Sequence, residues 1–365
     1  MSSEFQSIVK KISEVQTGLY DKNSAFNEYY DETSHVKLDG LRPSEILYKC
    51  DPNAYDVALN DWRLENFEEK FSLTLDLLKD ELIKNRVRPL IKALKKSKVA
   101  PFIGAGLSIP CGKKSWPAML LDIGQRSNRI DQDKFKEVLD SGDYIEAADI
   151  IASGSSEQLD EYIKLSLSDA TPCGAVMHLP DIASECIITS NLDCILESVY
   201  HEKGKPFDDG YMYGIQENHF FHHLVSGGRC LLKIHGTCLS PATQVFTRDQ
   251  YDRAYGDEDN VDFSRILPKA LRQIFVSNSL LFLGCSLIQD RTLELFEKVI
   301  ESGQYFIPDH YALLEKPEDG DVRDREHELA KLNIHPIWYP FEKHEHVEDF
   351  IQFLAVHKNN EAPNL

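Results

Sequence analysis

The stretch KVAPFIGAGLSIPCG, Lys98 to Gly112, decides how the chain is read. Val99 to Ile103 is a short apolar run of the kind that forms a buried strand. It passes straight into Gly104-Ala105-Gly106-Leu107-Ser108. Glycine directly after a strand lets the backbone turn sharply and approach a ligand closely, often a phosphate. On these residues alone, a tight strand-to-helix turn that binds nothing is as good a reading as a phosphate cradle. The rest of the chain separates the two.

Downstream the same texture returns in ECIITSN (185–191), CLLKIHG (230–236), SLLFLGCS (279–286) and HYALLEK (310–316). Helical patterns such as KEVLDSGDYIEAADIIAS (136–153) and RTLELFEKVIES (291–302) separate most of these runs. Near-continuous apolar strands alternating with helices predict an α/β fold, a parallel sheet with helices on both faces. Ligands of such sheets lie beyond the carboxyl ends of the strands. Residues 115–179 carry amphipathic helical patterns and no strand, which predicts a helical insertion beside the sheet. Upstream, residues 1–96 lack the strand-and-glycine texture. Leu64, Phe67, Phe71, Leu75, Leu78 and Leu82 recur every three or four positions as a helical stripe, with Pro89 expected to kink or restart that helix. The expected division is therefore an N-terminal helical region over 1–96, a sheet domain over 97–345, and a C-terminal helix and tail over 346–365.

Composition narrows the function classes. Of 365 residues, 42% are hydrophobic and 27% charged, ordinary for a globular chain, and the formal net charge is -20. A surface this acidic repels nucleic acid and anionic membranes, so neither is an expected direct partner. The basic run Lys92 to Lys98 reads as a solvated helix end whose cations suit the helix dipole. No apolar run is long enough to span a bilayer, and MSSEFQSIVKK has no signal-peptide core, so a cytoplasmic location is expected. The eight cysteines include no C-x-x-C pair, which argues against a structural zinc site and reads them as small buried side chains.

Four motifs close the expected strands. GAGLS lacks the third glycine of the dinucleotide fingerprint, since Ile109 stands there, which weakens a dehydrogenase reading. In TSNLD, Asn191 and Asp193 stand two apart at a strand end and can face a crevice, although Asp193 is equally a helix cap. In KIHG, His235 ends an apolar strand where it can exchange protons near neutral pH. LGCSLIQD, Leu283 to Asp290, is another strand-to-glycine turn that opens on a helix, with Ser286 available to a phosphate or a ribose.

In this order, GAGLS, TSNLD, KIHG and LGCSL resemble the sirtuin family, over roughly residues 97 to 340. The resemblance implies a Rossmann-like sheet with NAD+ lying across its carboxyl edge. It implies that Gly104, Ala105, Gly106 and Ser108 line the diphosphate and nicotinamide-ribose side. Asn191 would then meet a catalytic water, Asp193 the nicotinamide carboxamide, and His235 the ribose hydroxyls as a general base. Gly284 and Ser286 would contact the adenosine half.

The departures are equally informative. Where deacylating sirtuins carry four zinc-binding cysteines, this chain has TCLSPATQVFTRDQYDRAY with Cys238 alone, and CGKKSWPAM replaces their D-F-R-type element. The pattern resembles the bacterial sirtuin-like branch that hydrolyses NAD+ in defence against phage, and in layout the subunit that works with a HerA-type ATPase. The implied activity is NAD+ hydrolysis to nicotinamide and ADP-ribose without a metal, held silent until triggered, in a homo-oligomer. An NAD+ or ADP-ribose sensor without turnover, and a protein deacylase or ADP-ribosyltransferase, are the alternatives. Nothing in the spacing of acidic residues suggests a nuclease.

Overall fold

The computed structural model describes residues 18–35, 40–169, 171–183, 185–257, 260–288, 291–360 and 362. The signal-peptide reading of MSSEFQSIVKK and the last two residues of LGCSLIQD, Gln289 and Asp290, lie outside them. The chain forms two compact units, Met1–Ser72 and Leu73–Leu365. In the first, helices Ser24–Thr33, Pro43–Cys50 and Pro52–Lys70 enclose an aromatic cluster of Tyr20, Phe26 and Tyr55 with Leu59. Buried Asn27 is satisfied there, donating to the Tyr20 carbonyl at 2.9 Å and accepting from the Tyr55 hydroxyl at 2.7 Å.

The second unit is built on an eight-stranded sheet in the order β4-β3-β5-β2-β1-β6-β7-β8. Its strands are β1 Val99–Ile103, β2 Cys186–Thr189, β3 Tyr211–Tyr213, β4 Gln216–Asn218, β5 Cys230–Lys233, β6 Ser279–Leu283, β7 His310–Glu315 and β8 Ile334–Tyr339. All neighbours run parallel except β3 and β4. This is the α/β architecture expected. Five of the six longer strands follow the apolar runs quoted above, and the sixth, β8, is the apolar run IHPIWY of the chain's last part; β3 and β4, three residues each, gave no run long enough to read. β1 is central, and its pairing with β2 starts at Phe102, one residue past Pro101, which has no N–H to give. Pro336 stands on the edge strand β8, where a missing donor is tolerated.

Alternate strand residues feed two faces. Ala100, Phe102, Ile188, Leu232 and Phe282 pack with helices Arg248–Tyr255, Ile266–Ser277 and Arg291–Glu301 in one core. Helices Glu81–Lys95 and Glu345–Lys358 pack on each other, and the former also packs on β1 and β8. The helical stripe expected from Leu64 to Leu82 is thus spread over three helices, with breaks at Phe71 and at residues 78–80. Asp80 caps the third by accepting from Leu82 N at 2.8 Å, and the helix then runs through Pro89 without restarting. Its apolar side, Ile83, Val87, Leu90, Ile91 and Leu94, is buried within this unit, so residues 73–95 belong with the sheet rather than with the N-terminal helices.

Between β1 and β2 lie helices Trp116–Arg126, Gln132–Ser141 and Tyr144–Leu167, with no strand among the described residues of 115–179. They close on their own core of Met119, Leu120, Phe135 and Ile163, which also takes in Leu192, Cys238 and Phe246. The loops after β2 and β5 are therefore anchored in the insertion, while the strands that lead into them belong to the sheet core.

Candidate functional site

The chain leaves β1 to build β2 and β5 on one side and β6, β7 and β8 on the other, so β1 marks the topological switch point of the sheet. Three glycines make the turns there close-packed. A Cβ on Gly104 would stand 2.3 Å from the Gly284 carbonyl oxygen, and one on Gly106 would stand 2.8 Å from Gly284 Cα. Gly284 itself has φ +67°, and a Cβ on it would meet the Leu107 nitrogen at 2.7 Å. Gly104 N–H donates to the Leu283 carbonyl and Gly106 N–H to that of Gly284, both at 2.9 Å. Gly106 therefore contributes the absence of a side chain rather than a phosphate donor. The tight-turn reading of these glycines is realised, and it brings the β1 and β6 loops into contact.

On the β2 side, Asn191 is locked to the glycine loop. Its Nδ2 donates to the Gly104 carbonyl at 3.0 Å and to buried Ser108 Oγ at 2.9 Å, while its own N–H donates to Thr189 Oγ1 at 3.0 Å. A carbonyl can only accept, so the amide orientation is fixed and Oδ1 is the atom Asn191 presents elsewhere. Asp193 Oδ1 accepts at 3.1 Å from the N–H of Ile195, the first residue of helix Ile195–Glu202, whose cap position is Cys194 rather than Asp193.

A residue missed by the motif reading holds this loop. Lys233, fully buried at the end of β5, donates to the carbonyls of Asp193 and Leu192 and to Glu197 Oε1 at 2.9 Å. Burial alone would lower its pKa, but the Glu197 carboxylate and other nearby anions hold it raised, so it stays charged. A lysine inside the apolar run CLLKI was the available signal, since a charge there requires a partner.

His235 is adjacent. Its Nδ1 lies 3.1 Å from the Ser190 carbonyl and its Nε2 3.0 Å from the Tyr251 hydroxyl. Trp116 stacks on the imidazole at 6.0 Å between centroids. The ring keeps a partly open edge within dense surroundings, and this burial pushes its pKa down to about 4, the Ser190 hydrogen bond opposing only in part. His235 is therefore neutral at physiological pH, with Nδ1 protonated.

On the other side of the glycine loop, a cavity of about 950 Å³ opens beyond β6, β7 and β8. Gly106, Gly284 and Ser286 line it, as do Leu313, Trp338 and Tyr339 at the ends of β7 and β8. Its rim is mostly acidic, with Glu315, Asp321, Asp324 and Glu328 against Lys316 and Arg325. Asn191, Asp193 and His235 are not in its lining; Gly104, Ala105 and Ser108 connect the two regions along one loop.

Cysteine placement departs from the expectation of uniform burial: Cys186, Cys230 and Cys238 are buried, whereas Cys50 and Cys173 are exposed. The Cys194 and Cys238 sulfurs, one from each loop beside His235, lie 3.9 Å apart. Among the described residues no group of three or more His, Cys, Asp or Glu side chains is arranged to hold a metal ion.

Residues 185–337 match the family model described as a SIR2-like domain. The NAD(+) hydrolase ThsA of Acinetobacter baumannii (strain 532279) is 24% identical over 237 residues, 65% of this chain and 46% of that protein, so the match spans about half the relative's length. Among solved structures, a Sir2 homolog–NAD complex aligns over 75% of this chain and 94% of its own, with 12% identity and a TM-score of 0.40. A complex of ADP ribose with a point mutant of a Sir2 homologue aligns over 74% and 96%, with 13% identity and a TM-score of 0.37. From β2 to the middle of β8, this chain is similar to the SIR2-like domain.

Proposed function

We propose that the chain hydrolyses the bond between nicotinamide and ribose in NAD+, releasing nicotinamide and ADP-ribose. The observation that carries this reading is the fixed amide of Asn191, held by Gly104 and Ser108 one residue from the Ser190 carbonyl that anchors His235. The similarity of the chain to an NAD(+) hydrolase supports it. Nicotinamide leaves as a neutral molecule, so no acid is needed to protonate it. The demand on the protein is to support an oxocarbenium-like ribose and to present water.

In this reading, Asn191 Oδ1 accepts a hydrogen from the attacking water. Neutral His235 accepts a ribose hydroxyl hydrogen through Nε2 and draws charge toward the sugar. Asp193 faces the carboxamide of nicotinamide while its Oδ1 holds the Ile195 N–H. Ala105 and Gly106 lie along the diphosphate, and the cavity beside Gly284 and Ser286 takes the adenosine. Asn191→Ala and His235→Ala should each lower the rate of nicotinamide release by about 10²- to 10⁴-fold, the scale of a lost acid–base or water-orienting group. Native-like far-ultraviolet circular dichroism would show that the fold persists. Wild-type rates in both variants would overturn the assignment.

Unchecked NAD+ hydrolysis harms its host, so the proposal includes silence until a trigger, within antiviral defence in the cytoplasm. No helix among the described residues is long and apolar enough to cross a membrane. Homo-oligomerisation and docking to a HerA-type ATPase belong to the same proposal and are assigned to the N-terminal helices and the 115–179 insertion. A monomer by mass measurement at micromolar concentration, alone and with the ATPase, would contradict that part.

A further inference from the structure

We infer that Tyr251 is the positioning residue for His235, a role that rests on the NAD+-hydrolase reading of the site. Three observations carry it. The Ser190 carbonyl can only accept, so His235 Nδ1 bears the proton and Nε2 is a bare acceptor in the neutral ring. The partner of Nε2 at 3.0 Å is the Tyr251 hydroxyl, which must therefore donate. Both ring nitrogens are thus engaged before any ligand arrives, and the plane of the imidazole is set from two sides.

Tyr251 is itself held. It is buried on helix Arg248–Tyr255, whose first turn is closed by a capping box: the Thr247 side chain accepts from a backbone N–H, and Gln250 Oε1 accepts from Thr247 N at 2.9 Å and Phe246 N at 2.8 Å. Tyr255, one turn on, stacks on the Tyr251 ring at 5.9 Å and 24°, and its hydroxyl lies 3.2 Å from Thr292 Oγ1. Tyr251 meets the imidazole edge-on, while Trp116 stacks against it. Among the described residues, the groups that face the His235 ring from neighbouring elements include Ser190, Tyr251 and Trp116, and no charged group shifts its pKa.

The consequence is chemical. A histidine held neutral, with its lone pair already aimed at a hydroxyl, is prepared to accept from a ribose hydroxyl that takes the place of the tyrosine. In that step the O–H bond of the sugar breaks, its proton bonds to Nε2, and the electron pair stays on the ribose oxygen. Tyr251 yields its hydrogen bond to Nε2 before that step and does not touch the ribose.

Tyr251→Phe keeps the ring and removes the hydroxyl. In the full chain, kcat for nicotinamide release should fall about 10- to 100-fold, the scale on which supporting hydrogen bonds tune the groups they orient. KM should stay within about threefold, and the acid limb of the kcat/KM profile, which reports the free enzyme, should move upward because the neutral ring loses a donor. The ¹⁵N signals of His235 should show the same upward move, a readout that requires no turnover. Tyr255→Phe, which loses a hydroxyl aimed at Thr292, controls for packing: it should lower stability without moving the limb. An unmoved ¹⁵N titration in Tyr251→Phe would overturn the inference. A moved titration in a protein that never releases nicotinamide would keep Tyr251 as the positioner and reject hydrolysis instead.

Discussion

Lys233 shows how one residue ties the sheet to the site. Its ammonium has no exposure and grips the backbone carbonyls of Leu192 and Asp193, so the loop that carries Asn191 is held by a charge within the core. That charge is tolerable because Glu197 lies 2.9 Å away. Lys233→Met should destabilise the fold by about 2–4 kcal/mol, since it leaves Glu197 without its cation and two carbonyls without their donor. It should also weaken ligand binding by loosening the loop. Urea denaturation would measure the first effect, and an unchanged midpoint would contradict the account. His235, Asn191 and Asp193 could be singled out in the sequence because they follow apolar runs, and their proposed roles came from the order of the four motifs together. Tyr251 was not, because RDQYDRAY is a polar helix with nothing to mark which of its two buried rings meets His235. The pairing of Asn191 with Ser108 spans 83 positions along the chain and exists only once β1 and β2 lie side by side.

Among elements, the contact between the β1 and β6 loops is the most constrained. Gly104, Gly106 and Gly284 let two backbones touch, and a methyl group at Gly284 must both adopt φ +67° and meet Leu107. Gly284→Ala should cost about 1–3 kcal/mol and deform the cavity wall beside Ser286. A variant with wild-type thermal stability would show that the loops separate more easily than this packing implies. The sequence signalled the glycines and left a phosphate cradle and a tight turn equally open; two of their amides join the loops. The longer strands and the all-helical insertion were readable from apolar runs and helical periods. The helix breaks between 71 and 81 were not, because the apolar spacing continues across them while Asp80 starts a new helix. The units likewise divide by packing at Ser72, a property that periodicity does not carry.

At the scale of the whole molecule, buried neutral histidines set the response to acid. Burial lowers His235 to about 4, His310 to about 3 and His357 to about 4. Each lies below the value near 6.5 of an unfolded chain, so between about pH 4 and 6.5 the unfolded state binds more protons than the folded one. Their contribution to stability is therefore complete above pH 6.5 and is lost as the pH falls through this window. Most carboxylates titrate lower still. The urea midpoint should drop between pH 7 and pH 5, and a midpoint that is flat or rises would show that relief of the -20 net charge outweighs the histidines. The same burial keeps His235 an acceptor throughout the physiological range, which is the protonation state its proposed role requires.

Chromatography of NAD+ incubated with the purified chain tests the central claim most directly, with and without the proposed HerA-type ATPase and with Asn191→Ala alongside. The account predicts nicotinamide and ADP-ribose in equal amounts from the wild-type chain, and little from the variant over the same interval. NAD+ that stays intact in every mixture while the chain still binds it would contradict hydrolysis and leave a nucleotide sensor built on the same loops.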